Sequence, residues 1–399
     1  MEKIFKCFIL ISVLAMSALR ADAVELGENS TVSILTCAPG AEVWANYGHT
    51  ALRVYDPDND LDLCFNYGLF SFDTPHFIWR FCTGETDYVV GAQDTESFLF
   101  EYERDGRKVT EQVLDLDIDA RNSIWDALCV NVQPQNRTYR YNFFYDNCAT
   151  RVRRMVEDHC GGAVAYGGAA PYGTLRDAVR YYTCNYPWTD FGISLLLGVP
   201  SDRPASLREQ MFAPEVMMDA FKDATLDGRP IVKTASILVE GPDYEPVMDN
   251  SWTTPLRIME IVLVLSLAST FFEWRRKRRC WAVDAVLWGV TGLAGVVIGF
   301  IALISSHPAT DPNYLLIWLD PLALVYAIAL CFRRFRNSRA AVFVQTVFLP
   351  FVLFGLAGFF FLPQFFPLAL MPFNLSLLCR CGLSVVNGLN RSRNGKHLK

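Results

Sequence analysis

Five long apolar stretches fill the second half of the chain, and they constrain its fold more than any other feature. Each has bilayer-spanning length or nearly so, and few charged residues interrupt them. Stretches of this length and composition predict transmembrane helices. We therefore expect an all-α bundle of five transmembrane helices at residues 255–385. The stretches are residues 256–272, 283–304, 314–332, 340–362 and 365–383.

Basic residues follow alternate stretches, and this pattern predicts the orientation of the chain in a membrane. Clusters at 275–279, 333–336 and 391–399 follow the first, third and fifth stretches, whereas the links on the other side are uncharged to acidic. Lys and Arg are enriched in cytoplasmic loops. We therefore expect the chain before residue 255 to lie outside the cytoplasm, and a basic tail at 386–399 to lie inside it.

The N-terminus has the pattern of a secretory signal peptide. A short basic start precedes an apolar run from Phe8 to Leu19, and Ala21-Asp22-Ala23 has the small residues of a cleavage site. Removal of residues 1–23 would leave an exported domain at 24–254. An exported chain with a formal net charge of −6 has neither the location nor the charge typical of nucleic-acid binding. We expect no nucleic-acid partner.

The exported domain mixes strand and helix patterns, which predicts an α+β fold. Residues 31–37 are β-branched and apolar, and the segments 49–55 and 61–67 flank a turn cluster, which predicts a β-hairpin. Further strands are predicted at 88–90 and 107–116. Helices are predicted at 41–47, 119–130, 149–156, 174–182, 204–211 and 214–224, with a Gly-rich loop at 161–173.

One thiol lies at a predicted helix start, in the stretch YDNCATRVRR. Asn147 is a good N-cap, so Cys148 would begin the helix, where backbone N–H groups and the helix dipole favour a thiolate. Seven of the twelve cysteines lie in the exported domain, and an odd number leaves at least one unpaired in an oxidising compartment. Cys148 is the natural candidate, although a structural cysteine or a disulfide partner also fits this stretch. Cys160 and Cys184 are plausible disulfide partners.

A histidine elsewhere in the domain is suited to activate that thiol. His49 follows Gly48 and opens a predicted strand, and a His at a strand start facing a Cys at a helix start is typical of thiol catalysis. The hairpin would bring Asn66 near His49, where its side chain could orient the imidazole ring. Taken alone, His49 also fits a hydrogen-bonded turn residue. Together with Cys148, it favours a catalytic dyad, or a triad that includes Asn66.

Longer motifs in the chain resemble a known family. The segments LTCAPGAEVWANYGHTALRVYD, FNYGLFSFDTP, YRYNFFYDNCATR and LLLGVPSDRPAS resemble the Lnb-type N-terminal periplasmic domain, and SSHPATDPNYLLIWLDPL resembles the membrane portion of that family. His49 precedes Cys148, which is the order of a circularly permuted papain-like core, as in the permuted NlpC/P60 and lecithin:retinol acyltransferase-like groups. The resemblance implies an NlpC/P60-like periplasmic domain of this kind, followed by the five-helix membrane domain.

The family comprises the lipoprotein N-acyltransferases of Bacteroidota, so the resemblance also implies a reaction. A fatty acyl chain would move from a membrane phospholipid, through a Cys148 thioester, to the N-terminal amine of a diacylglyceryl-cysteine lipoprotein. The expected partners are the phospholipid donor, the diacylated lipoprotein acceptor and the inner membrane, with the catalytic domain in the periplasm. No metal-site spacing or nucleotide-binding loop is present, so we expect no cofactor.

Two other functional classes fit the same residues. One is a membrane-anchored cysteine hydrolase of cell-wall peptides or lipids, which would use the same dyad. The other is a non-catalytic envelope module in which Cys148 is structural. A lipid substrate is favoured because five membrane helices exceed what a wall hydrolase needs as an anchor.

Several polar residues are candidates for substrate binding. Arg151 follows the thiol and could bind phosphate, although an exposed helix face is the alternative. The external loop between the second and third apolar stretches carries three polar residues that could hold a phosphate or glycerol headgroup, or could simply be turn residues. The full candidate set is Tyr145, Asn147, Arg151, His307, Asp311 and Asn313.

Further predictions concern two acidic residues within the apolar stretches and two apolar runs of the exported domain. Asp284 is predicted to snorkel toward the cytoplasmic surface. Asp320 lies about a third of the way in from the external face, where a charge is costly and often functional. The runs at 143–145 and 195–197 are either core or the walls of an acyl channel.

Overall fold

The computed structural model describes residues 24–247, 251–276 and 278–396, with side chains to residue 386. The predicted signal peptide at 1–23 and the end of the basic tail lie outside the described residues. Backbone contacts divide the chain into two compact units, Met1–Ala178 with Pro204–Glu245, and Val179–Arg203 with Pro246–Lys399. The two units are therefore interleaved along the sequence.

The described residues of the first unit form a seven-stranded antiparallel sheet with the order β10-β5-β1-β2-β3-β4-β6. Its centre is the meander β1-β2-β3, whose β-branched and apolar residues are buried, and the predicted strand at 31–37 and the hairpin are confirmed. The strands are β1 Thr31–Cys37, β2 His49–Asp56, β3 Leu61–Leu69, β4 Asp87–Asp94, β5 Val109–Leu114, β6 Thr138–Arg140 and β10 Val232–Val239. A smaller sheet pairs β7 Val164–Ala165, β8 Thr225–Leu226 and β9 Arg229–Pro230.

Helices cover the central strands and close the core of this unit. Helix α4 packs on β2 and β3 through Ala149, Val152 and Val156, which share one face and are fully buried. Full burial of a valine contributes about 1.5–3 kcal/mol, so packing holds this helix in place. The helices are α1 Phe77–Cys82, α2 Thr95–Arg104, α3 Ile118–Asn131, α4 Cys148–His159, α5 Leu175–Thr183, α7 Leu207–Gln210 and α8 Pro214–Lys222.

The segment 41–47, predicted as a short helix, is a series of turns. The N–H groups of Gly40 and Gly48 both donate to the carbonyl of Ala45, so the helical pattern of hydrogen bonds does not form. Gly48 has φ +79°, and a Cβ atom there would lie 2.6 Å from the carbonyl oxygen of Cys37. Only glycine fits this position. The turn thereby delivers the chain directly to the start of β2.

The second unit contains the apolar helices. In the part of the chain that the structure describes, three helices are long and apolar enough to cross a membrane, namely α9 Pro255–Arg276, α10 Trp281–Leu303 and α13 Arg339–Phe361. The third and fifth predicted stretches contain shorter apolar helices, Leu322–Cys331 (α11) and Leu370–Val386, the latter the first part of α14. Three spans are supported, and five transmembrane helices remain a prediction. The other elements are α6 Pro187–Leu196, α12 Arg333–Arg336, α14 Leu370–Lys396 and the 3-10 helices Val199–Asp202 and Tyr314–Ile317.

Asp320 explains why the third apolar stretch is not one continuous helix. The Asp320 carboxylate accepts the backbone N–H of Leu322 at 2.8 Å, and Pro321 lies next to the helix start, where a missing N–H does no harm. Helix α11 therefore begins at Leu322 rather than at residue 314. The side chain of Asp320 thus binds the backbone at the helix start.

Asp284, predicted to snorkel, is instead buried in an ion cluster. The Arg380 guanidinium donates to Asp284 and to Glu273, each at 2.7 Å, and all three side chains are buried, with Arg380 only 2% exposed. A charge in an apolar helix bundle is tolerated when it is paired and hydrogen-bonded. This cluster joins α9, α10 and α14.

Replacing Arg380 with methionine should lower the free energy of unfolding by about 3–5 kcal/mol, because buried Glu273 would lose its cation and buried Asp284 would keep only Arg279, whose guanidinium lies 3.5 Å away. Thermal unfolding of the full chain in detergent micelles would measure this. The control is Arg257→Met, which removes an exposed pair with Glu260 and should cost about 0–1 kcal/mol. Equal losses in the two variants would contradict the structural role of the cluster.

Candidate active site

The start of helix α4 is held by a capping box. The Asn147 side chain accepts the N–H of Thr150 at 2.9 Å, and the Thr150 hydroxyl accepts the N–H of Asn147 at 2.8 Å, which confirms the predicted N-cap. The Asn147 amide also donates to the carbonyls of Phe143 and Phe212. The buried Asn147 side chain thus has its donors and acceptor engaged within the protein. A contact of Asn147 with substrate stays a hypothesis.

The Cys148 thiol lies half-buried within hydrogen-bonding reach of backbone N–H groups. Those of Thr50, Ala149 and Cys148 itself each lower the pKa of the thiol, but burial has the larger effect and raises the pKa of Cys148 to about 11. The expected thiolate is therefore not the resting form. Desolvation outweighs the favourable helix start, and the thiol is neutral at physiological pH.

His49 opens strand β2 and contacts Asn66 on β3. The distance between His49 Nε2 and Asn66 Oδ1 is 2.7 Å, as the predicted hairpin required. With the amide oxygen as acceptor, Nε2 carries the proton and Nδ1 is the basic nitrogen. Burial, with a smaller contribution from the charge of Arg107, lowers the pKa of His49 to about 4, and the hydrogen bond to Asn66 acts in the opposite direction. The imidazole is neutral at physiological pH.

Gly68 lies close to both His49 and Cys148. A Cβ atom on Gly68 would be 3.8 Å from His49 Cε1 and 3.9 Å from the Cβ of Cys148, and Gly68 has φ +99°. The structure therefore brings His49, Asn66 and Cys148 together around one glycine that keeps the space between them open. Our sequence analysis did not identify Gly68, although a glycine two residues after Asn66 inside a strand was a visible signal.

Three tyrosines surround the thiol and were also not identified from the sequence. Tyr88 and Tyr141 stack with ring centroids 4.2 Å apart. Burial, with a smaller contribution from nearby Cys148, raises the pKa of Tyr88 to about 12. Burial also raises the pKa values of Tyr139 and Tyr141, with Cys148 again contributing. Among the described residues, the buried Tyr139 hydroxyl has no hydrogen-bond partner. The alternation in YRYNFFYDNC was the available signal.

Arg151 and Tyr145 differ in how accessible they are to a substrate. Arg151 pairs with Asp146 at 2.7 Å, and its guanidinium carbon lies 3.6 Å from the Tyr139 ring centroid. Asp146 also pairs with Arg154, so the positive charge near the helix start is partly neutralised. Arg151 would have to leave these contacts to bind a phosphate. Tyr145 is exposed and remains accessible for a substrate contact.

His307, Asp311 and Asn313 belong to the second unit, whereas the thiol lies in the first. Asn313 is buried, its amide donates to the carbonyl of Leu195 at 2.8 Å, and its oxygen accepts from Gln364 at 2.9 Å. These bonds give Asn313 a structural role in the second unit. His307 is half-buried and Asp311 is exposed, so their headgroup-binding role stays a hypothesis.

Cys160, a plausible disulfide partner of Cys184, is a free thiol in the structure. The Cys160 sulfur lies 3.5 Å from the carbonyl oxygen of Gly162, and that of Cys184 lies 3.3 Å from the carbonyl of Tyr181. Within the described residues, no group of three His, Cys, Asp or Glu side chains could hold a metal ion.

The rate of Cys148 alkylation by iodoacetamide should rise about tenfold per pH unit from neutral pH toward pH 10, because burial raises the thiol pKa to about 11. Peptide mass spectrometry after short labelling pulses of the full chain would measure the rate, with Cys82 as the internal reference for reagent stability. A rate that is level across neutral pH would indicate a thiolate–imidazolium pair and contradict the neutral resting state.

Comparison with known proteins identifies the family. The family described as the Lnb N-terminal periplasmic domain matches residues 22–181, and the Lnb transmembrane domain matches residues 248–392. The first match contains His49, Asn66, Gly68 and Cys148. No curated protein and no solved structure matches the chain. Because the two matches together span most of the sequence, the chain belongs to the Lnb family, as a membrane protein with a periplasmic domain.

Proposed function

We propose that this protein is a lipoprotein N-acyltransferase that works through a Cys148 thioester. Membership of the Lnb family suggests an enzyme. The observation that carries the proposal is the convergence of His49, Asn66 and Cys148 around Gly68 in the periplasmic domain. The basic clusters between the apolar stretches favour an inner-membrane location with a cytoplasmic C-terminus. The order of His49 and Cys148 favours a permuted papain-like core.

In the first half-reaction, the Cys148 sulfur attacks the ester carbonyl of a phospholipid. His49 Nδ1 takes the thiol proton as the carbon–sulfur bond forms, and then returns it to the departing glycerol oxygen. Lysophospholipid leaves, and a thioester remains on Cys148. Since both groups start neutral, proton transfer and bond formation are coupled.

The oxyanion that develops on the carbonyl needs hydrogen-bond donors. The backbone N–H groups of Cys148 and Thr50 both point at the thiol sulfur, so they lie close to the carbon that it attacks. Thr50 thus supplies the second donor for the oxyanion. It comes from the strand that carries His49, whereas the first donor comes from the helix that carries the nucleophile.

In the second half-reaction, the α-amine of the diacylated lipoprotein attacks the thioester. Its pKa of about 8 leaves a substantial neutral fraction at periplasmic pH. His49 takes the amine proton and returns a proton to the Cys148 sulfur as the amide forms, so the cycle is ping-pong. The aromatic rings of Tyr88, Tyr139 and Tyr141 would limit the access of water to the thioester.

Incubation of the full chain with acyl-labelled phospholipid should leave label on the protein that neutral hydroxylamine releases. Cys148→Ala should abolish this label because it removes the nucleophile. The control is Cys129→Ala, which removes another free thiol, on α3, and should retain the label. Lysophospholipid should appear in equal amount, and label should pass to an added diacylated lipopeptide. Label on Cys148→Ala equal to that of the natural protein would exclude the thioester. Free fatty acid without lipopeptide product would indicate the hydrolase.

His49→Ala should slow lysophospholipid release by about 10²–10⁴-fold, because the general base is lost. In the natural protein, burial keeps the pKa of His49 at about 4, so this rate should fall only as the pH approaches about 4. Asn66→Ala removes the hydrogen bond that raises the pKa of His49, so it should move the acidic limb to still lower pH. An acidic limb that stays in place when Asn66 is replaced would show that Asn66 does not act through His49.

A further inference from the structure

Next to the candidate site, the first unit exposes an aromatic surface that its core does not explain. Helix α1 (Phe77–Cys82) has no buried residue, and Ile78 and Trp79 are 78% and 60% exposed. Phe72, before this helix, and Trp44, before β2, are also exposed. Large apolar side chains grouped on a surface mark a binding site more often than scattered ones do. We call this group the α1 aromatic patch; it consists of Trp44, Phe70, Phe72, Phe77, Ile78 and Trp79.

The α1 aromatic patch is continuous with the two strands that carry the candidate catalytic residues. Trp44 lies just before Gly48 and His49, and Phe72 lies just after Gly68; their rings meet edge-to-face at 5.8 Å. Phe70 connects the two regions, because its ring contacts Phe72 at 5.0 Å on one side and Tyr88 at 5.0 Å on the other. An unbroken row of rings therefore leads from the surroundings of Cys148 to α1.

Helix α1 is fixed with its apolar residues outward. Arg80 pairs with Asp87 on β4 and donates to the carbonyl of Glu85, and Arg140 also binds Asp87. The polar part of the helix is thus attached to the edge of the sheet. This leaves Ile78 and Trp79 to solvent in a defined arrangement.

Beside this helix lies an open groove of about 680 Å³. This volume falls within the roughly 300–1,000 Å³ of small-molecule sites. Its walls are mainly apolar and consist, among the described residues, of Phe72, Phe77, Ile78 and Trp79 with Thr74, His76 and Cys82, and no acidic, arginine or lysine side chain is among them. Such walls suit an uncharged, flexible hydrocarbon rather than a polar headgroup or a peptide.

We propose that the α1 aromatic patch binds the acyl chain of the donor phospholipid, an inference that rests on the proposed function. A carbonyl carbon in contact with the Cys148 sulfur needs an apolar path for the hydrocarbon chain attached to it. Gly68 leaves that path open at the thiol, and the rings of Phe70 and Phe72 continue it toward α1. Ile78 and Trp79 then determine how well long chains bind.

The test of binding does not require catalysis. Full-length Cys148→Ala protein in nanodiscs would be irradiated with a phosphatidylethanolamine that carries a diazirine near the end of one acyl chain. Peptide mass spectrometry should find adducts in residues 70–82, and the double variant Ile78→Ser, Trp79→Ser should reduce them about tenfold. The matched control is Phe100→Ser on α2, which replaces an equally exposed aromatic residue and should leave the yield unchanged.

A kinetic measurement separates this inference from the proposed function. With Cys148 present, the double variant should raise the KM for phospholipid, and the increase should grow with acyl-chain length. Adducts at 70–82 without thioester formation in the natural protein would refute the acyltransferase but retain the lipid site. Thioester formation with no adducts at 70–82, or with an increase in KM that is the same for every chain length, would refute the acyl-chain site.

Discussion

The candidate site depends above all on how helix α4 begins. The Asn147 side chain bonds both to Thr150 within the first turn and to the carbonyls of Phe143 and Phe212 outside it. An N-cap of this kind typically contributes about 1 kcal/mol to stability. Its larger consequence is geometric, because it makes the next residue, Cys148, the first of the helix. The packing of the same helix on β2 then places the thiol at the N–H of Thr50.

Two electrostatic effects compete at that thiol, and their balance determines the chemistry. Backbone N–H groups favour the thiolate, whereas burial favours the neutral form and prevails, with the pKa of Cys148 at about 11 and that of His49 at about 4. A neutral thiol is a poor nucleophile toward oxidants as well as substrates. A half-buried neutral pair is therefore consistent with the proposed mechanism, in which Cys148 reacts only when a bound ester is in place.

The parts of the site that were predictable from the sequence are those set by local pattern. The hairpin follows from two β-branched segments around a turn, and its register then brings Asn66 to His49, since Ala51 pairs with Asn66. The N-cap before Cys148 is equally local. The exposed helix α1 and the pairing of β10 with β5 depend on distant parts of the chain. The effect of burial on the pKa of Cys148 could not be predicted, because the helix start is visible in the sequence and the burial is not.

In the second unit, as in the first, burial restricts which charges can form, but here the result is a paired ion cluster. Hydropathy identifies the apolar stretches. It does not identify the ion pair between Asp284 and Arg380, because Arg380 lies in the last stretch, far from Asp284 in the sequence. In both units, ionisable groups that leave water are either neutral or paired. Arg380 keeps its proton beside the carboxylates of Glu273 and Asp284, so its cluster is structural. In the proposed mechanism Cys148 passes its proton to His49, so we expect the chemistry of the chain in the periplasmic domain.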